Sequence, residues 1–286
     1  MKKIISFFAF VAIVFSFAAC GGNDGNNPEV IVQGKFTVGN GKQVYFSKGN
    51  LQVSYDGSKY NWTFAENQWD FFGAYGFNGA DLFGWSTLST EYGLSTNEHS
   101  YYYYGDFYDW GHVFPGAGWR TLSSEEWVYL FHERPMAEVM FAFGHIVVDN
   151  TLKINGVIIL PDNWTKPEGV SFTPSTQCED PNLGKLEWDE TDKEYVSSQS
   201  KNYEHNEYTL AQWSRMERAG AIFLPAAGYR SGVTVKEINV TGCYWASDFM
   251  DDDNSYYVYF YKTKIKPQAI EERYYGQSVR LVRNVQ

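Results

Sequence analysis

The sequence predicts an α+β domain: a mixed, mainly antiparallel sheet with two helices and long ordered loops. Three observations predict it. Apolar residues alternate with period two near both ends of the chain, two capped helical segments lie between, and aromatic-rich stretches with no period fill the rest.

The chain opens on Met1-Lys2-Lys3, a short positive region, followed by an apolar run from Ile4 to Phe17. That run is too short and wrongly flanked for a membrane span, and it reads as a signal peptide over residues 1–19. It ends in Phe17-Ala18-Ala19-Cys20, which resembles a bacterial lipobox. The resemblance implies cleavage before Cys20 and lipidation of its thiol, so that acyl chains hold the protein to a membrane without a spanning helix. The plainer alternative is an ordinary signal peptide with an incidental cysteine. Residues 20–33, rich in Gly and Asn, read as a flexible tether, and residues 34–286 as one domain.

Strands open that domain. Phe36 and Val38 alternate, Asn40-Gly41 gives a hairpin turn, and Val44-Tyr45-Phe46 follows. Leu51/Val53/Tyr55 and Tyr60/Trp62/Phe64 alternate about a second turn at Asp56-Gly57, so the opening reads as an antiparallel meander. Residues 70–118 hold no period but are dense in Gly, Tyr, Phe, Trp and Asp, and read as long loops pinned by aromatics. Ser123-x-x-Glu126 is a capping box, with Trp127, Leu130, Phe131 and Arg134 at helical spacing and Pro135 as the stop. Thr209-x-x-Gln212 is a second, with Leu210, Trp213 and Met216 on one face and Gly220 past the end. A polar loop covers about 173–206. Strands return at 221–230, 242–247, 255–262 and 277–284.

The formal net charge is −11, and removing residues 1–19 takes away Lys2 and Lys3, leaving about −13. Such a charge argues against nucleic acid and suits an exported domain. Of three cysteines, Cys178 and Cys243 remain beside Cys20. In an exported protein they form either one disulfide or two separate thiols. No CxxC, HExxH or Cys/His cluster supports a zinc site, and no metal or cofactor is expected.

Four motifs follow one another along the chain: Trp119-Arg120-Thr121-Leu122 running into Glu125-Glu126-Trp127, then Leu224-Pro225-Ala226-Ala227-Gly228-Tyr229-Arg230, then Gly242-Cys243-Tyr244-Trp245-Ala246-Ser247, and Gly276-Gln277-Ser278-Val279-Arg280-Leu281-Val282-Arg283. In that order they resemble the major paralogous domain lipoproteins of Bacteroidetes and Fibrobacter, over roughly residues 35–284. That group is similar to the C-type-lectin-like fold in its formylglycine-generating-enzyme (sulfatase-modifying factor) branch. The resemblance implies a compact mixed sheet, two helices, a long loop region and neighbouring termini.

Fold does not carry function. The oxidase chemistry of that branch needs a close pair of cysteines for copper, and here Cys178 and Cys243 lie far apart in sequence. Calcium-dependent sugar binding of the lectin type would use oxygen-rich turns. Glu179-Asp180-Pro181-Asn182 and Asp251-Asp252-Asp253-Asn254 are the candidates, against the plain reading of a solvated acidic turn. Adjacent Glu125/Glu126 and Glu271/Glu272 do not give the spaced carboxylates of a glycosidase. No Gly-x-Ser-x-Gly occurs, and His99, His112, His132, His145 and His205 are scattered.

Aromatics make up 19% of the chain and carry the remaining reading, non-catalytic recognition. Trp119, Trp127, Trp213 and Trp245 sit in the family-like motifs and read as core. Consecutive tyrosines cannot all face inward, so Tyr102 and Tyr104 are candidate ligand contacts. In 256–261, period two assigns Tyr256/Val258/Phe260 to the core and Tyr257, Tyr259 and Tyr261 to a ligand face, joined by Asp251, Asp252, Asp253 and Asn254. Segment 247–275 also has the place and the Asn/Asp/Tyr/Ser bias of the variable region in retroelement-diversified proteins, which resemble this fold too. The expectation is a non-enzymatic lipoprotein on the outer membrane, at the surface of a Gram-negative cell, binding an extracellular glycan or protein. The alternatives are an oxidase-like enzyme and a structural surface protein.

Overall fold

The computed structural model describes residues 31–76 and 79–286. The expected signal peptide, the expected lipidation site at Cys20 and most of the expected tether lie outside the described residues. The chain joins the fold at Ile31–Val32: Ile31 bridges Ser47, and the Val32 amide donates to the Phe46 carbonyl at 3.0 Å.

The architecture is α+β, with two short α-helices and seventeen strands among the described residues. β1 (Phe36–Gly39) and β2 (Lys42–Phe46) form the expected hairpin around Gly41, and β3 (Leu51–Tyr55) and β4 (Tyr60–Phe64) form the second. A loop layer without strands runs to β5 (Trp119–Arg120), which leads into α1 (Ser124–Val128). Then come β6 (Phe141–Val147), β7 (Lys153–Ile159), β8 (Glu187–Asp189), β9 (Glu194–Val196) and β10 (Glu207–Thr209). After α2 (Leu210–Arg218) follow β11 (Ile222–Pro225), β12 (Tyr229–Ser231) and β13 (Thr234–Lys236). The chain closes with β14 (Thr241–Phe249), β15 (Asn254–Tyr261), β16 (Lys264–Glu272) and β17 (Val282–Asn284).

These strands do not form the expected opening meander. β2 pairs with β17, giving the order β1-β2-β17-β5, so the two ends of the domain lie side by side, while β3-β4 stands as a separate ribbon. A second sheet runs β10-β6-β7-β11, with β10 parallel to β6, and a third runs β14-β15-β16-β9-β8. The segment 276–282 is the seam between them. Ser278 donates to the Cys243 carbonyl, Gln277 exchanges both backbone bonds with Phe83, and Val279 and Leu281 accept from Leu51 and Ser47.

Both capping boxes are formed. Ser123 Oγ accepts from the Glu126 amide and Thr209 Oγ1 from the Gln212 amide, with each partner side chain reaching back. α1 widens into a π-turn over Tyr129–Glu133, so the helical stretch reaches the expected stop. Trp127, Leu130, Phe131, Trp213 and Met216 are buried, but Leu210, expected on the apolar face, is 38% exposed because it begins the helix at its solvent end.

The core has three regions. One fills the space between the sheets, with Phe46, Trp127, Phe143, Tyr244 and Phe260. Another lies around α2 and holds Trp213, Met216 and Phe223. The third lies between the β14-β15-β16 sheet and the loop layer and holds Phe83, Trp85, Trp110, Trp245 and Tyr257. Trp85 Nε1 donates to the Ala246 carbonyl at 3.1 Å, and Trp245 Nε1 to the Phe83 carbonyl at 2.6 Å. Gly93 is where the layer folds on itself: φ is +81°, and a Cβ there would meet the Gly84 carbonyl oxygen at 1.8 Å.

Three buried arginines fasten this layer with no carboxylate partner among the described residues. Arg230 donates to the carbonyls of Leu82, Gly93, Ser95 and Gly232. Arg273 donates to those of Tyr103, Gly105 and Asp251. Arg280 donates to the Lys48 carbonyl and to the side-chain oxygens of Asn50 and Gln68. Burial lowers all three guanidinium pKa values, Arg280 to about 10. A buried cation surrounded by carbonyl dipoles fixes loops that have no ladder of their own.

Candidate functional site

Loop 99–105 and the β14–β15 turn belong to distant parts of the sequence, and the fold brings them together. Tyr104 Oη donates to Asp253 Oδ1 at 2.7 Å. Beneath them Arg273, fully buried, bonds the Tyr103 and Gly105 carbonyls at 3.2 Å and the Asp251 carbonyl at 2.6 Å. Its guanidinium lies 4.3 Å from the Trp85 ring centroid and 4.5 Å from that of Phe249. The Asp253 carbonyl accepts from the Arg273 amide at 2.9 Å, which closes the brace.

The turn itself divides by role. Asp251 Oδ1 accepts from the amides of Asp253 and Asn254 and from Asn254 Nδ2, an Asx turn, and these bonds hold its carboxyl below the usual range. Asp251 and Asn254 therefore build the turn, and Asp252 and Asp253 face solvent. Asp180 does the same for Asn182 through its amide and side chain. Both stretches weighed as calcium turns thus spend a carboxylate on their own backbone. Among the described residues no group of three or more His, Cys, Asp or Glu is placed to hold a metal ion.

Around this turn the surface is aromatic. Tyr101, Tyr102 and Tyr104 are 59, 46 and 42% exposed, and Tyr101 packs on Tyr102 at 4.5 Å and stacks on His99 at 5.5 Å. Phe249 and Met250 are also exposed. Tyr103 alone in the run turns inward, donating to the Ser95 carbonyl at 2.7 Å. The arrangement offers flat rings for stacking beside carboxylate acceptors, on a rigid base.

Tyr257, Tyr259 and Tyr261 do not join this patch. β15 is an interior strand, and the loop layer covers the face that period two assigned to solvent, so Tyr257 is buried against Trp245 and is 7% exposed. Tyr259 is half-buried along the same face. Tyr261 lies at the far end of the strand, about 23 Å from the turn at strand rise, under the Lys262 ammonium. The other face holds Val258 and Phe260 in the core as expected, with Tyr256 only partly buried.

Other chemistry-bearing pairs weighed from the sequence are engaged within the fold. Glu126 pairs bidentately with Arg120, at 2.6 and 2.8 Å, besides capping α1. Ser175 Oγ lies 2.7 Å from His205 Nδ1, but both residues are buried and Ser175 Oγ accepts the Phe143 amide, so the pair joins two segments. Cys178 and Cys243 are free, buried thiols, not a disulfide. Burial raises the Cys243 pKa, which suppresses the thiolate.

A larger cleft of about 760 Å³ opens between the β3–β4 ribbon and the loop layer. Its walls include Val53, Tyr55, Tyr60, Tyr75, Leu94 and Val233. Tyr55 and Tyr60 are exposed at its side with ring centroids 5.3 Å apart. No local pattern announced this cleft, the Arg273 brace, or the roles of Tyr101, Phe249 and Met250; the brace joins residues as far apart in sequence as Tyr103 and Arg273. No family model, curated protein or solved structure matches the chain.

Proposed function

We propose that this chain is a lipid-anchored ligand-binding protein of the cell surface, recognising an extracellular glycan or protein without catalysis. The observation that carries the reading is the convergence of Tyr102 and Tyr104 with Asp252 and Asp253 on a base fixed by buried Arg273. Rings fixed in place bind with little entropic loss, and carboxylates beside them accept sugar hydroxyls or peptide amides. The Cys20 anchor and an outer-membrane location of a Gram-negative cell rest on the lipobox resemblance. A C-type-lectin-like fold is favoured by the paired ends, the two helices and the long ordered loop layer. The net charge of −11 disfavours nucleic acid as partner.

An oxidase role is disfavoured by the buried, unjoined Cys178 and Cys243. A second reading places the ligand in the 760 Å³ cleft, favoured by exposed Tyr55 and Tyr60. Screening the full-length chain on arrays of glycans and surface proteins supplies a ligand. Tyr102→Ala with Tyr104→Ala and Asp252→Ala then abolishes binding at an unchanged melting temperature. Loss in Tyr55→Ala with Tyr60→Ala instead moves the site to the cleft. A structural surface protein would self-associate on size exclusion and bind no array component. A near-repeat of the 3′ coding end in the flanking DNA, differing at adenines, would mark a diversified receptor.

A further inference from the structure

We propose that a second, smaller cavity on the loop-layer side of β14–β16 is a binding site for a primary ammonium group. The cavity is about 210 Å³ and lies away from the tyrosine patch. Four tyrosines line it in two near-perpendicular pairs. Tyr229 and Tyr275 meet at 5.8 Å and 76°, and Tyr257 and Tyr259 at 6.2 Å and 75°. Aromatic ring faces that border such a space attract a cation through their quadrupoles.

The polar groups agree with this. Glu237 and Glu271 also line the cavity, and neither forms a salt bridge among the described residues. Among the described residues Glu237 accepts from Thr241 Oγ1, and Glu271 accepts the Glu272 amide. No lysine or arginine among the described residues lines the space. Gln277, 1% exposed, lines it as well, and its buried Oε1 accepts no hydrogen bond. A buried orphan acceptor destabilises the fold unless a ligand or water supplies the donor. The site thus presents two unneutralised carboxylates, an orphan carbonyl oxygen and four rings, and no cation of its own. Its complement carries positive charge and N–H donors. A quaternary ammonium would satisfy the charge and leave Gln277 unpaired, whereas a primary ammonium satisfies both.

Burial raises the Glu271 carboxyl pKa, against the lowering pull of the Glu272 amide bond, a cost that an arriving cation relieves. Cys243 lies in the wall with its thiol neutral, and so adds a polarizable surface rather than a competing charge. Tyr229, Tyr259, Glu271 and Tyr275 are only half-buried and Glu237 is exposed, which leaves the mouth open to solvent.

The test is calorimetric titration of the full-length chain at neutral pH with n-butylamine hydrochloride, 1-butanol and tetramethylammonium chloride. Butylammonium should bind saturably, 1-butanol should not, and tetramethylammonium should bind more weakly. Glu271→Gln should weaken butylammonium by about tenfold or more. Should that variant not fold, Glu237→Gln on the exposed rim should show the same direction of change. Nα-acetyl-lysine methylamide binding as tightly as butylammonium identifies a lysine-bearing partner, and binding by butylammonium alone identifies a free small amine. Butylammonium binding no tighter than 1-butanol, or unaffected by Glu271→Gln and Glu237→Gln in folded protein, overturns the proposal. Equal affinity for tetramethylammonium overturns the assignment to a primary amine.

Discussion

Replacing Arg273 by alanine removes the brace beneath the tyrosine patch, and its cost can be worked from the contacts. Three charge-assisted hydrogen bonds, two of them long at 3.2 Å, are lost at about 1.5 kcal/mol each. Cation–π contacts to Trp85 and Phe249 add about 1 kcal/mol each. Against this gross loss of about 6.5 kcal/mol, the deleted guanidinium no longer has to be desolvated, which returns several kcal/mol. The net expectation is a loss of about 3 kcal/mol in unfolding free energy, read as a lower urea midpoint with an unchanged slope. The loss should also be local. Hydrogen exchange should speed in peptides covering 99–106 and 250–255, whose carbonyls the guanidinium ties together, and not in α2. A loss under about 1 kcal/mol with unchanged exchange in those peptides would refute the reasoning, because the loop would then be held by its aromatics alone.

Three further outcomes are expected. Buried Asp81 accepts the Phe72 amide at 2.7 Å, and burial raises its pKa to about 7, so the folded state holds a proton between about pH 4 and 7 that the unfolded state releases. Its contribution is present at acid pH and lost as pH rises through 7. Wild type should therefore gain about 2–3 kcal/mol over Asp81→Asn between about pH 8 and pH 5, measured by urea unfolding, while the opposing buried His205 cancels in the comparison. Gly93→Ala should destabilise by at least about 2 kcal/mol by thermal unfolding, since the new Cβ meets the Gly84 carbonyl and the backbone is left-handed there. Ser123→Ala should cost about 1 kcal/mol through the lost cap of α1, with Ser123→Asp retaining most of it.

Local chemistry was legible in the sequence and long-range pairing was not. Asn40-Gly41, Asp56-Gly57 and both capping boxes act within a few residues, and each formed where its residues placed it. β2 pairs with β17 across nearly the whole domain, so no local pattern could separate a meander from two divided hairpins. β6 went unread because it is buried almost throughout and carries no alternation. β16 does alternate, but its inward residues include Pro267 and Ala269, poor strand formers. Pro267 is accommodated where the register with β15 shifts between Tyr257 and Tyr259. The same limit governs the site. Period two sorted β15 into two faces, but could not show that the periodless layer of Phe83, Trp85 and Trp110 covers the second one. Tyr102, Tyr104, Asp252 and Asp253 were legible because consecutive tyrosines and aspartates exceed what a core accepts. Their meeting was not, because it depends on Arg273.

The central claim is that the Tyr102–Tyr104–Asp252 surface binds a ligand and does not serve the fold. It is tested most directly by array binding of the full-length chain beside its Tyr102→Ala, Tyr104→Ala, Asp252→Ala variant. The account predicts a saturable ligand for the parent, none for the variant, and superimposable melting curves. Undiminished binding by the variant, or a variant that unfolds, would contradict it.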